Sequence, residues 1–277
     1  MNGTQSQQAA TERTPANSPL LALKGVSKSF GPVEALKDVD FELGAGEVVG
    51  LVGDNGAGKS TLIKAISGVQ PADEGEAYFE GNRVTLNTPQ AAYRLGIATV
   101  YQDLALCENL DVVQNLYLGQ EVGNHIPGLD LLDEPSMEHR TLELLDSLGV
   151  TTIRSVRTEV AQLSGGQRQA VAIARSLLGE PRLVLLDEPT AALGVVQTRE
   201  ILKLVQRLRE RGLGVVVISH NLANVFRVAD RIVVLRLGRV AAVLDADETN
   251  REQVVGAITG AEFGQEDVAR TTEEHAL

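Results

Sequence analysis

The run Gly53-Asp54-Asn55-Gly56-Ala57-Gly58-Lys59-Ser60-Thr61 interleaves glycines with acid and amide side chains and ends on a lysine and two hydroxyls. These residue types at this spacing suit a phosphate chain. Glycines let the backbone bend tightly, so that successive N–H groups face an anion. Lys59 can reach the β- and γ-phosphates, and the Ser60 hydroxyl can coordinate Mg²⁺. An apolar run, Val48 to Val52, precedes the loop, and a helical pattern through Leu62, Ile63, Ala65 and Ile66 follows it. That strand–loop–helix setting is the one the motif requires, and the helix adds the positive end of its dipole.

Two further stations carry chemistry. Leu183-Val184-Leu185-Leu186-Asp187-Glu188 reads as a buried strand ending in two carboxylates. Asp187 can face a metal held by Ser60, and Glu188 stands one residue on, where it can polarise an attacking water. Leu163-Ser164-Gly165-Gly166-Gln167 opens a helical stretch, Arg168 to Leu178. Ser164 is a good N-cap, and the glycines would let a partner approach the helix N–H groups, a second anion site without a lysine. The similar letters Leu131-Leu132-Asp133-Glu134-Pro135 lack a preceding apolar strand and precede a helix. Asp133 to Pro135 therefore reads as a helix start.

The elements that must position these residues alternate in kind. Leu20 to Leu43 is β in pattern, a strand pair is expected around Glu76 to Val84, and a short strand over Ile97 to Tyr101. From about Leu104 to Leu178 the texture is helical, with a helix closing at Asn115–Gly119 and another over Met137 to Leu148, its apolar side at Leu142, Leu145 and Leu148. Strand signals return at Leu183–Leu186, Val215–Ile218 and Ile232–Leu235, with an amphipathic helix through Ile201, Leu204, Val205 and Leu208. Apolar strands alternating with helices imply an α/β fold with a mainly parallel sheet. Residues 1–19 read as a disordered leader, and 261–277 as an acidic, flexible tail.

Composition excludes several classes. The chain has 277 residues, 43% of them hydrophobic, and a net charge of −12. That charge disfavours a grip on nucleic acid. The single cysteine, Cys107, cannot form an internal disulfide, and it reads as a packing residue in a reducing compartment. His125, His139 and His275 lack metal-ligand spacing. No apolar run spans a bilayer, so a cytoplasmic protein is expected, with any membrane role supplied by a partner.

The order Gly53–Thr61, Gln102, Leu163–Gln167, Leu183–Glu188 and then His220 after the strand Val215–Ser219 resembles the ATP-binding subunits of ABC transporters, over roughly Leu20 to Thr259. The resemblance implies a P-loop NTPase core with an N-terminal antiparallel β part and an inserted α-helical subdomain, about 104–178, in a domain spanning 20–260. It implies that Phe30 stacks on adenine. It implies that Gln102 contacts Mg²⁺ and the attacking water and reports to the membrane partner, and that His220 touches the γ-phosphate. It implies ATP and Mg²⁺ as ligands and a head-to-tail homodimer in which Ser164, Gly165, Gly166 and Gln167 complete the partner's site. Transmembrane permease subunits would anchor the chain at the inner face of the cell membrane, and an extracytoplasmic sugar-binding protein would act indirectly.

The stretch Gln102 to Val113 with Asn115–Gly119, and Ala191-Ala192-Leu193-Gly194-Val195, resemble the monosaccharide-importer branch. Gly194 stands where most of the family carries Asp, a departure at the loop that links the two sites. The alternatives are an ABC ATPase for another small solute such as an amino acid, and a non-transport ABC protein acting on ribosomes or DNA. A single motif set, the absence of a heptad run and the acidic charge argue against the latter.

Overall fold

The computed structural model describes residues 19–126 and 129–261, with the backbone alone at 124–126 and 129–130. Residues 1–18 and 262–277 lie outside the described residues, and with them almost all of the leader and tail. Strands and helices are numbered in chain order.

An antiparallel sheet begins the fold. Strands β1 (Leu21–Phe30), β2 (Val33–Leu43), β4 (Glu74–Phe79) and β5 (Asn82–Val84) pair in the order β2-β1-β4-β5. In β2 the buried residues Val39, Phe41 and Leu43 alternate with exposed Asp40 and Glu42, as a half-buried strand requires. Towards the strand's start the alternation fails. Asp38 takes φ 52, and the pairing shifts register there, so Leu36 and Val39 are buried three residues apart.

The second sheet has the order β12-β11-β3-β10-β9-β6. Its strands β3 (Val48–Val52), β6 (Ile97–Val100), β9 (Leu183–Asp187), β10 (Gly214–Ile218) and β11 (Arg231–Arg236) are parallel, and β12 (Arg239–Asp245) closes one edge antiparallel. Every residue of β3 and β10 is buried, which explains their unbroken apolar runs. The antiparallel β12, with its alternating exposure, is absent from the sequence reading. Helix α1 (Lys59–Ile66) follows β3, α2 (Pro89–Arg94) precedes β6, and α6 (Val195–Glu210) joins β9 to β10. The short α7 (Leu222–Val225) follows β10, and α8 (Arg251–Thr259) packs on β11 and β12. Gly50 in β3 makes room for α7: a Cβ there would lie 2.3 Å from Cγ1 of Val225.

Between β6 and β9 lies the helical segment: α3 (Val112–Tyr117), α4 (Glu134–Ser147), a 3-10 turn (Val160–Gln162) and α5 (Gly165–Leu177). It shares a core with one face of the parallel sheet. Val113, Leu116, Leu148 and Ile173 join one buried cluster with Val184, Leu186 and Val217. Asn115, fully buried, holds the loop before α3. Its Nδ2 donates to the carbonyls of Cys107, Leu110 and Asp111, and its Oδ1 accepts from the Cys107 N–H at 2.8 Å. Cys107 is thus half-buried and tied down by its backbone. In α4 the inward face is Met137, Thr141 and Leu145, whereas Leu142 is 49% exposed, contrary to the apolar spacing. Asp133 does start α4, its carboxylate accepting from the Ser136 N–H at 3.2 Å. The residues before it form a hairpin, β7 (Gly123–Ile126) with β8 (Leu129–Leu132), that the broken apolar pattern concealed.

Candidate nucleotide site

The parallel register brings the sequence's separated stations to the carboxyl end of the sheet. Ile218 at the end of β10 pairs with Leu51 on one side and with Asp187 on the other, and Val100 of β6 pairs with Leu186. The segments leaving these strand ends are the Gly53–Gly58 loop, Ser219-His220, Glu188 and Gln102. Loops at the carboxyl ends of parallel strands are where such sheets place ligands.

The loop after β3 packs closely on neighbouring backbone, where side chains at two of its glycines would clash. Gly53 has φ 149, and a Cβ there would meet the Leu235 carbonyl oxygen at 2.2 Å. Gly58 has φ 106, and its Cβ would meet the Ala35 carbonyl oxygen at 2.6 Å. Ala57 donates its N–H to the Asp54 carbonyl at 3.1 Å, closing the turn. Lys59, the first residue of α1, folds back over the loop. Its Nζ donates to the carbonyls of Gly53 at 2.7 Å and Asp54 at 2.9 Å. Burial pushes the Lys59 ammonium down in pKa, against the opposing charges of Glu188, Asp54 and Asp187. Ser60 is exposed beside it and Thr61 half-buried.

Asp187 is half-buried, and burial, with the adjacent Glu188 charge, raises its pKa, while Lys59 and Lys64 pull it down. Glu188 departs from strand geometry with φ 51, a left-handed backbone that only glycine adopts cheaply. Its N–H donates to the Ile218 carbonyl at 3.1 Å. Its side chain reaches His220: Oε1 accepts from the His220 backbone N–H at 3.1 Å, and Oε2 lies 2.9 Å from Nδ1. Oε2 is otherwise buried without a hydrogen bond, while the imidazole is 75% exposed. His220 therefore lies on the carboxylate of Glu188. Asn224 of α7 was not singled out from the sequence; its Nδ2 donates to Oγ1 of Thr190 at 3.2 Å, tying the β10–α7 loop to the segment after Glu188.

A cleft of about 530 Å³ opens beside the loop. Phe30, Val33, Asn55, Gly56, Lys59 and Ser60 are among its walls. Phe30 is 43% exposed, and the Lys28 ammonium sits over its ring at 5.7 Å, itself bonded to Asp73 at 2.6 Å. Phe30 thus shares a cavity with the phosphate loop.

Gln102 is exposed at the bend after β6. The backbone beyond it is pinned by Arg175 of α5, which donates to the carbonyls of Leu104 and Ala105, each at 2.8 Å. Ala105 sits at φ 47, and burial lowers the pKa of Arg175. Nothing in the sequence marked Arg175, because its partners lie 70 and 71 positions away, at the other end of the helical segment. A groove of about 360 Å³ lined by Tyr93, Tyr101, Asp103, Leu104 and Arg175 borders this loop.

Ser164 is exposed and caps α5, with a reciprocal bond from its N–H to Gln167 Oε1 at 2.9 Å. The helix begins at Gly165, earlier than Arg168. Gly166 is packed from within: a Cβ there would lie 2.9 Å from Cβ of Gln197 on α6. Its smallness serves the α5–α6 contact of this chain. Ser164, Gly166 and Gln167 line a cavity that shares no residue with the cleft beside the phosphate loop. Within one chain the two candidate anion stations line separate cavities.

The sequence profile described as "ABC transporter" matches residues 36–191. The chain is 46% identical over 248 residues to the xylose/arabinose import ATP-binding protein XylG of Sulfolobus acidocaldarius, covering 90% of this chain and 97% of that protein. It is 44% identical to the fructose import ATP-binding protein FrcA of Rhizobium meliloti, covering 89% and 96%. Among solved structures, the ADP conformation of MJ1267, an ATP-binding cassette of an ABC transporter, superposes with a TM-score of 0.75 at 27% identity, covering 89% of this chain and 97% of that one. A dimeric post-hydrolysis state of the cassette MJ0796, bound to ADP and Pi, gives 0.68 at 30% identity, covering 82% and 98%. With its phosphate loop, strand-end carboxylates and capped glycine-rich helix in this arrangement, the chain belongs to the ABC transporter family of ATP-binding proteins.

Proposed function

We propose that this chain is the ATP-hydrolysing subunit of an importer that carries a monosaccharide across the cytoplasmic membrane. The observation that carries the reading is the assembly of Lys59, Asp187, Glu188 and His220 at the carboxyl ends of β3, β9 and β10, beside the glycine-rich loop. In this reading the amides of Gly53–Thr61 and Lys59 hold the triphosphate, and Phe30 stacks on adenine. Glu188 orients or deprotonates the attacking water, and His220 holds that carboxylate while reaching the γ-phosphate.

The Ser60 hydroxyl, the Gln102 amide and the Asp187 carboxylate would hold Mg²⁺. These hard oxygen donors fit, since Mg²⁺ takes one or two carboxylates and leaves the rest to phosphates and water. Among the described residues no group of three or more His, Cys, Asp or Glu side chains forms an all-protein cage. Bound magnesium supplies charge neutralisation at the phosphate oxygens. Burial and Glu188 raise the pKa of Asp187, and a cation beside it would favour the charged carboxylate.

Monosaccharide import is supported by the near full-length likeness to import proteins for xylose/arabinose and fructose. Among the described residues no helix is long and apolar enough to cross a membrane, so permease subunits would hold the chain at the inner face. The groove beside Gln102 to Ala105 is the proposed docking place, with a sugar-binding protein acting from the far side. The domain would span 20–260, with its helical part at about 104–178. In a head-to-tail homodimer Ser164 to Gln167 of one copy would complete the cleft of the other.

Mixing tests the composite site. Lys59→Ala and Ser164→Arg homodimers should each be inactive. In freely exchanging mixtures half the dimers are mixed, and each carries one intact site, so roughly a quarter of wild-type sites return if sites act independently. No rescue, with ATP failing to promote dimers, would overturn the composite site. Uptake of xylose, fructose and ribose against amino acids in vesicles carrying the cognate permease tests the solute class.

A further inference from the structure

The turn joining β11 to β12 carries a leucine where its geometry favours asparagine. Arg236 pairs with Arg239, leaving Leu237 and Gly238 as a two-residue loop. Leu237 has φ 50 and Gly238 φ 80, the positive pair of a tight hairpin that prefers Asn-Gly. Leu237 is also 70% exposed. The residue is thus disfavoured by its backbone and again by its exposed aliphatic surface. Folding explains Gly238, because a Cβ there would lie 2.9 Å from the Ala35 carbonyl oxygen. It does not explain Leu237.

The turn is anchored to the phosphate loop. Gly238 donates its N–H to the Ala57 carbonyl at 3.0 Å, and its own carbonyl accepts from the Lys37 N–H at 2.8 Å. These bonds hold Leu237 on the wall of the cleft that contains Phe30, Val33 and the loop. Phe30 is 43% and Val33 61% exposed. Large apolar side chains left exposed around one cleft mark a ligand surface.

Resting on the nucleotide reading above, we infer that Leu237, with Val33, forms a further apolar wall of the base pocket that Phe30 begins, and contacts the purine ring of a nucleoside triphosphate. The strained turn is kept because it presents that side chain. An aliphatic wall covers the flat face of a purine and offers its edge no donor or acceptor. Leu237 therefore contributes to affinity for any purine triphosphate and not to the choice between adenine and guanine.

Leu237→Asn tests this, because the substitution suits the turn and removes the apolar wall. Binding of ATP, GTP and inorganic tripolyphosphate is measured by calorimetry on the full chain, with Leu237→Met as the apolar control. The variant should melt at or above the wild-type temperature, lose about tenfold in affinity for ATP and GTP alike, and bind tripolyphosphate unchanged. Leu237→Met should keep wild-type ATP affinity. Unchanged ATP affinity in Leu237→Asn would overturn the inference. An equal loss for ATP and tripolyphosphate would overturn it too, since Leu237 would then act through the shape of the phosphate loop. Failure of the wild-type chain to bind either ligand would instead sink the nucleotide reading itself.

Discussion

Glu188 and His220, 32 positions apart, meet across the ends of β9 and β10, with Nδ1 of the imidazole 2.9 Å from Oε2 and the backbone N–H 3.1 Å from Oε1. The carboxylate is held from two directions by one residue, and its own backbone takes the left-handed φ of 51 that aims it there. Glu188→Gln preserves shape and removes the carboxylate proposed as the base. It should keep ATP affinity and lose turnover by about 10²–10⁴-fold, the usual worth of a positioned general base. Filter binding with single-turnover hydrolysis checks it, and a parental rate would end the general-base assignment.

Asp187 gives a pH signature in the nucleotide-free protein. Its pKa is raised in the fold, by burial first and Glu188 second. The native state then holds the proton more tightly than the unfolded chain does. The stabilisation is full below the unfolded-state pKa and is lost as pH rises through the higher native value. Asp187→Asn cannot lose a proton there, so its stability relative to wild type should climb as pH rises from about 4 towards neutrality. Urea titrations of both proteins across that range read the difference, and parallel curves would contradict it.

Gly194 occupies the N-cap of α6 with φ −69 and ψ 165, backbone that any residue adopts. A Cβ there meets nothing nearer than Oε1 of Gln197 at 3.8 Å. The usual family aspartate therefore fits without strain. Gly194→Asp should stabilise the fold by a few tenths of a kcal/mol through capping, measurable as a raised urea midpoint. A lowered midpoint would show that the loop is shaped against a side chain.

Tyr117 on α3 buries a hydroxyl with no hydrogen-bond partner among the described residues, and that burial raises its pKa. Tyr117→Phe removes a desolvated polar group and keeps the ring. Stability should hold or rise by up to about 1 kcal/mol, with hydrolysis unchanged. A loss of more than that amount would mean that the hydroxyl has a partner in solution.

Local geometry was legible where a short window contains its own cause. Gly53 to Thr61 needs only a tight turn and a helix start, and Ser164 caps its helix three residues on. Asp187-Glu188 ends an apolar strand that any parallel sheet buries. The same local reading misjudged Leu142, because helix periodicity defines an apolar side without saying how much of it a neighbour covers. It missed β7 and β8, since a two-stranded hairpin leaves little alternation to detect.

The sequence by itself determined that a glycine-rich strand–loop–helix, a strand-end carboxylate pair and a capped glycine-rich helix exist in one α/β chain, because turn sterics, strand burial and capping act within a few residues. Only the tertiary structure decided who meets whom. The insertion of β10 between β3 and β9 brings His220 onto Glu188, the packing of α5 takes the space at Gly166 and lets Arg175 grip Leu104 and Ala105, and the antiparallel β12 brings Leu237 to the cleft. Strand order and helix docking are set by the burial of the whole core, which no local window contains.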